Sequence, residues 1–314
     1  MILTTLLWST AGIVSRQLES ARGFEVTFWR SAFNSVALLV MLSALRGPRA
    51  LWLTLRHGGR AMWLSGVCWA VMFTAFMVAL TLTKVANVLV TMALAPLFTA
   101  LLAHFILGHR LSRPTWATIV VAGVGIAWMY GGEFGASDSR QWLGTLVALA
   151  VPVASAVNWT LLHHLARRAR PQQLALAPSP TSEGGVHGRT GHDPGQHAAA
   201  PDMLAAVLLG ALLSSLLTLP LAWPFSASGV DLGWLAFLGV VQLALPCLLA
   251  VSAARRLSAP QAALLALLEV VFGVAWVWWG AGEAPSSSVL TGGMLVLAAL
   301  IVNEAWALRR TGRA

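Results

Sequence analysis

Charge is scarce in this chain. Only 10% of its 314 residues are Asp, Glu, Lys or Arg, where a soluble domain carries about 25%. Acid is scarcer than base, with 11 acidic residues against 20 basic ones. Cysteine is nearly absent: Cys68 and Cys247 both sit in apolar runs, which excludes a disulfide framework and leaves them as small packing residues. The motifs of catalysis are missing too. There is no HExxH, no GxSxG, no P-loop and no CxxC, and no pair of acidic clusters that would hold Mg²⁺-bound phosphates. An enzyme is therefore not expected, and neither is a cofactor. His187, His192 and His197 recur in a Gly/Pro-rich tract, but a structural metal site needs ligands in fixed geometry, so no metal is expected there.

Apolar sequence is abundant. Hydrophobic residues make up 58% of the chain, and the mean hydropathy is +0.76. Apolar runs of about 20 residues recur along its length, and about 20 residues at 1.5 Å each cover the roughly 30 Å of bilayer hydrocarbon. This predicts an all-α polytopic membrane protein. Ten spans are read, at about 2–18, 24–45, 61–82, 86–107, 115–131, 141–165, 203–222, 232–252, 259–280 and 289–308. The first is read as a retained span rather than a signal peptide, because no basic segment precedes it.

The net charge of +9 is distributed as in a membrane protein, not a nucleic-acid binder. In the ten-span reading Arg46, Arg49, Arg56, Arg60, Arg110, Arg113, Arg167, Arg168, Arg170, Arg189, Arg255, Arg256, Arg309, Arg310 and Arg313 share one side, Arg16, Arg22, Lys84 and Arg140 fall on the other or at its border, and Arg30 lies within a span. The arginine-rich side is cytoplasmic by the positive-inside rule, so both termini are expected inside. The opposite side is short and mildly acidic. The longest polar stretch, 166–202, is rich in Pro, Gly, Ser and His and is expected to be a disordered cytoplasmic linker.

The linker divides two similar halves, 1–131 and 141–308. "LLWSTAGIVSRQL" from Leu6 lines up with "VNWTLLHHLARRA" from Val157, which pairs Trp8 with Trp159 and Arg16 with Arg167. "ANVLVTMALAPLFTALLAHFILGHRLS" from Ala86 lines up with "APQAALLALLEVVFGVAWVWWGAGEAPS" from Ala259. Pro96 then falls opposite Glu269, and Gly108-His109 opposite Gly282-Glu283. Five spans per half is an odd number, so the second copy enters the membrane inverted. Inverted repeats with a midplane site are a transporter arrangement.

A Trp in spans 1 and 6, an Arg in span 2, "PLFTALLA…LGHRLS" in span 4, "LLE" and a Gly-Glu in span 9 and "GG" in span 10 resemble the EamA-type members of the drug/metabolite transporter superfamily. The resemblance implies ten helices as two inverted five-helix repeats, an inner-membrane location and movement of a small metabolite, more often outward. Three features depart from the pattern. Val270 stands where the family usually has Pro after the span 9 Glu, Gly108 is followed by His109, and the linker is long.

The polar residues inside the spans are the candidate site. Glu269 lies about ten residues into its span, roughly 15 Å deep, where an acidic residue costs about 2.5–3.5 kcal/mol. It reads either as a carboxylate for a substrate amine or a proton, or as an interhelical hydrogen-bonding group. Thr27, Arg30 and Asn34 form one polar stripe on span 2. A guanidinium there can grip a carboxylate or phosphate, pair with Glu25, or snorkel to the interface. Trp8 and Ser9 on span 1, Asn158 and Trp159 on span 6 and Trp276 on span 9 are further candidates to line a pathway; small and hydroxyl residues also mark tight helix contacts. Pro96 frees the carbonyl of Met92 and predicts a bend in span 4.

The expectation is a secondary transporter that exports an amino acid or related zwitterion by alternating access. The rival is a membrane-embedded sensor or accessory subunit without a transport cycle. Expected partners are the small-molecule substrate and membrane lipid, without nucleic acid. Proton coupling and a homodimer remain open.

Overall fold

The computed structural model describes residues 1–108, 112–131, 139–175, 203–254 and 259–311, and every regular element among them is helical. In order they are α1 (Ile2–Ser15), α2 (Phe24–Arg46), α3 (Pro48–His57), α4 (Arg60–Leu82), α5 (Val85–Met92), α6 (Ala95–Leu107), α7 (Arg113–Gly131), α8 (Ser139–Ala175), α9 (Met203–Ala222), α10 (Gly229–Gly239), a π-helical segment (Val240–Ala244), α11 (Leu245–Ala254), α12 (Ala259–Ala281) and α13 (Ser287–Thr311). Among the described residues, seven stretches are long and apolar enough to cross a membrane: α2, α4, α5 with α6, α8, α9, α10 with α11, and α13. α1 and Leu265–Ala281 of α12 are shorter apolar helices. Helices suit lipid because each satisfies its own backbone polar groups.

Three features depart from the spans read in the sequence, while the bend expected at Pro96 in span 4 is present. The connection after span 2 contains a helix of its own, α3, started by Pro48 in its first turn after Gly47 at φ 85°. Proline has no N–H to orphan at a helix start. Span 4 is divided at Ala93–Leu94 into α5 and α6, with Pro96 in the first turn of α6. Span 9, which lacks the proline, is the single helix α12. Span 8 carries the π-helical turn, where Leu245 N–H bonds Val240 O. Pro246 just beyond it has no N–H to return to Gln242 O, which favours a widened turn there. Finally, α8 continues through 166–175, residues expected to be linker. The rest of that linker, with His187, His192 and His197, lies outside the described residues, as does His109.

α4 packs against α8 and α9, α2 against α9 and α10, α1 against α12, α6 against α8, and α7 against α13. Polar bonds cross these seams. Ser31, Ser214 and Thr74 share hydroxyl hydrogen bonds of 2.9 Å that join α2, α9 and α4. Ser65 of α4 donates to Asn158 Oδ1 of α8 at 2.6 Å. Lipid supplies no hydrophobic drive between helices, so close packing and such bonds hold them together.

One end of the bundle is tied by carboxylates. Asp231, fully buried at the start of α10, accepts the N–H groups of Glu19, Ser20 and Ala21 at 2.8–3.0 Å and that of Ser228 at 3.2 Å. Glu25 accepts from Ser226 N, Ala227 N and Ser226 Oγ at 2.7–2.9 Å. Glu283 pairs with Arg16 Nε at 2.8 Å and accepts Val85 N–H at 2.9 Å. These bonds place the connections after α1, α4, α9 and α12 on one face.

Candidate functional site

Arg30 is the centre of the polar interior. Its Nη2 donates to Gln242 Oε1 at 3.0 Å, and Gln242 Nε2 donates to the carbonyl of Trp8 at 3.0 Å. The guanidinium carbon lies 5.6 Å from the centroid of the Phe76 ring, a cation–π contact. The side chain is only 2% exposed, yet Nε and Nη1 have no hydrogen-bond partner. Asn34, one turn along α2, is fully buried with both amide atoms unpartnered, and so is the Thr27 hydroxyl. Buried polar groups are nearly always bonded, so this stripe has unused hydrogen-bonding capacity facing the interior.

The backbone around it is fitted closely. Gly239 ends α10 against α2, where a Cβ would lie 2.7 Å from Arg30 O and 2.8 Å from Asn34 N. Only glycine allows that approach, which sets the following π-helical turn, and Gln242 within it, beside Arg30. π-helical turns occur often at functional sites.

α12 brings the acid. Arg30 lies within electrostatic range of both Glu269 and Cys247 of α11. No ion pair within 4.0 Å joins Arg30 to Glu269, and Glu269 makes no hydrogen bond among the described residues. Further along α12, a Cβ at Gly273 would sit 3.5 Å from Ser9 O, and Trp276 Nε1 donates to Ser9 Oγ at 3.1 Å. α1, α2, the π-helical turn and α12 thus converge on one charged centre.

The structure brings Arg30, Asn34, Gln242 and the Trp8 carbonyl together, with Glu269 within electrostatic range, while Ser9 is held by Trp276, which is itself 36% exposed. It does not gather Asn158 and Trp159. Asn158 is fully buried against Ser65, and Ser65 lies about 16 Å along α4 from Phe76 at 1.5 Å per residue. Trp159 is 39% exposed. Pro96 stands in α6, on a span whose first part, α5, packs against α12. The alternative partner for Arg30, Glu25, is fully engaged with Ser226 and Ala227. A cleft of about 120 Å³ between α6 and α8 is lined by apolar side chains such as Phe98, Leu102, Phe105 and Val157, and offers no polar anchor. Gln242, Phe76 and Gly239 escaped the sequence reading. Gln242 had a usable signal, as the lone amide in "GVVQLALP".

Ionisable side chains enclosed among long apolar helices fit a multi-pass membrane protein. The family model described as the EamA-like transporter family matches residues 1–131 and 197–304. The chain belongs to that family, and through it to the drug/metabolite transporter superfamily. No curated protein matches it. A solved structure ("Crystal structure of protein") resembles it with a TM-score of 0.61 at 18% identity, covering 98% of this chain and 96% of that one; at that identity the likeness concerns the fold alone. The protein is thus a membrane transporter with a small-molecule substrate, from a transporter family and not an enzyme family.

Proposed function

We propose that the protein is a secondary transporter of amino acids or related zwitterions that works by alternating access, with ten spans arranged as two inverted five-helix repeats. The single observation that carries the substrate class is the gap between Arg30 and Glu269. Arg30 and Glu269 lie within electrostatic range of one another without forming an ion pair, and Arg30 holds unused donors. A substrate carboxylate would take the Arg30 donors, its amine would face Glu269, and Trp8 and Trp276 would form the apolar walls.

Three observations support the inverted repeats. α1 ends on the carboxylate-tied face at Arg16, whereas α8 starts there, with Arg140 donating to Thr81 O. Gly108 and Gly282, which the two halves align, both have φ of 66°. The packing scheme also survives exchange of the halves: α6–α8 corresponds to α12–α1, and α4–α9 corresponds to α10–α2, while α2–α9 and α7–α13 map onto themselves.

Arg30 is closed to solvent here, so substrate enters only when the helices part. The arginine asymmetry supports an inner-membrane orientation with both termini cytoplasmic, and family resemblance favours export. The test is counterflow in proteoliposomes, with each labelled amino acid supplied singly. Wild-type protein should accelerate exchange of at least one of them, and Glu269→Gln should slow it at least about tenfold. Absence of exchange for every amino acid would reject the substrate class. Exchange left intact by Glu269→Gln at all pH values would reject the role of the acid.

A further inference from the structure

We infer that α3 is a binding surface for anionic phospholipid. The inference stands apart from the transport site and rests on a different part of the chain.

α3 lies between the ends of two membrane-spanning helices, α2 and α4, on the face opposite the carboxylate ties. That puts it at the boundary between lipid and water. One edge is used by the protein: Leu51 is 3% exposed, and Leu55 packs with it against α9 residues such as Leu204 and Leu208. The residues at i, i+3, i+4 and i+7 from Arg49 form a second edge, namely Arg49, Trp52, Leu53 and Arg56. All four are exposed, Trp52 by 55% and Leu53 by 48%. The Arg56 guanidinium lies 4.8 Å from the Trp52 ring centroid, which holds the cation over the aromatic at mid-helix. Arg60 continues the exposed positive surface, with His57 exposed beside it.

A face that alternates two arginines with Trp and Leu matches both parts of a lipid. The guanidiniums suit the phosphate, and Trp and Leu suit the acyl boundary. Charge complementarity selects the headgroup. No acidic residue occurs between Glu25 and Glu133, so the segment carrying α2 to α7 brings no carboxylate of its own to this surface. A zwitterionic headgroup would bring its cation against the arginines, and an anionic one would not. The connection between α9 and α10, which occupies the corresponding place in the second half, has no helix and no basic residue. The surface therefore belongs to one face of the membrane only.

The experiment uses the full-length protein in detergent, titrated with phosphatidylglycerol or with phosphatidylcholine of the same acyl chains, and counts retained lipid by native mass spectrometry. Inorganic phosphate forms a separate arm. Phosphatidylglycerol should be retained over phosphatidylcholine, and phosphate at equal concentration should not displace it. Each arginine at a membrane surface contributes about 1 kcal/mol, so the Arg49→Gln/Arg56→Gln pair should weaken retention about thirtyfold. Arg49→Lys/Arg56→Lys should keep most of it. Arg113→Gln, which removes an exposed charge on the same face, should leave it unchanged. If the glutamine pair does not purify, each single replacement should read about fivefold. Equal retention of the two lipids, or an equal loss in Arg113→Gln, would overturn the inference.

Discussion

Replacing Arg30 with methionine separates a residue kept for a ligand from one kept for the fold. The wild-type side chain is 2% exposed, with one hydrogen bond, one cation–π contact and two unpartnered nitrogens. An unsatisfied buried donor costs about 1–3 kcal/mol, more when charged, so methionine relieves roughly 2–6 kcal/mol. Against this it loses the bond to Gln242, about 1.5–3 kcal/mol, leaves Gln242 Oε1 buried without a donor, about 1–3 kcal/mol, and gives up the contact with Phe76, about 0.5–2 kcal/mol. The losses slightly exceed the gain, and Arg30→Met should melt within about 4 °C of wild type, taking roughly 2 °C per kcal/mol for a large domain. Breaking a well-paired buried ion costs about 3–5 kcal/mol, which would lower the melting temperature by about 6–10 °C. The assay is thermal unfolding in detergent, without ligand and with each amino acid in turn. Ligand binding stabilises by mass action, so wild type should respond to at least one amino acid and the variant to none. A fall of 6 °C or more without ligand, or a retained ligand response, would refute the reasoning.

Four other outcomes follow from the same bonds. Asp231→Asn turns a donor towards N–H groups that the carboxylate now accepts and should remove about 3 kcal/mol or more of stability in the same melt. Gly239→Ala forces a methyl into the Arg30 and Asn34 backbone; it should cost about 1–3 kcal/mol and weaken the ligand response as well. Asn158→Ala should cost about 1 kcal/mol through its lost bond to Ser65 while leaving counterflow within twofold of wild type. Glu283→Gln loses a partly exposed ion pair worth under about 1 kcal/mol. In a background lacking Cys68 and Cys247, it should speed maleimide labelling of a cysteine placed at Ser9, because the tie between α1 and the α12–α13 connection is weaker.

The membrane class, the helical fold and the family could be read from the sequence because bilayer thickness imposes one length on every span, and backbone in lipid leaves few alternatives. Arg30, Asn34 and Glu269 could be read for a related reason: a polar group in an apolar run stands out wherever it lies. Composition could not say which of these groups meet. Asn158 looked like a pathway residue in the chain; in the fold its Oδ1 takes the Ser65 hydroxyl and its Nδ2 stays unpartnered, away from Arg30. Gln242 looked incidental, yet a widened turn next to Pro246 and the close approach allowed by Gly239 bring its carboxamide to Arg30. α3 was hidden because ten residues are too few to register as a span, and its character appears only when Leu51 and Leu55 are seen to face the protein and Trp52 and Leu53 to face away. Span length and buried polarity are properties of a segment, so the sequence determined them. Partnership depends on the angle and depth at which segments cross, which only side-chain packing in three dimensions decides.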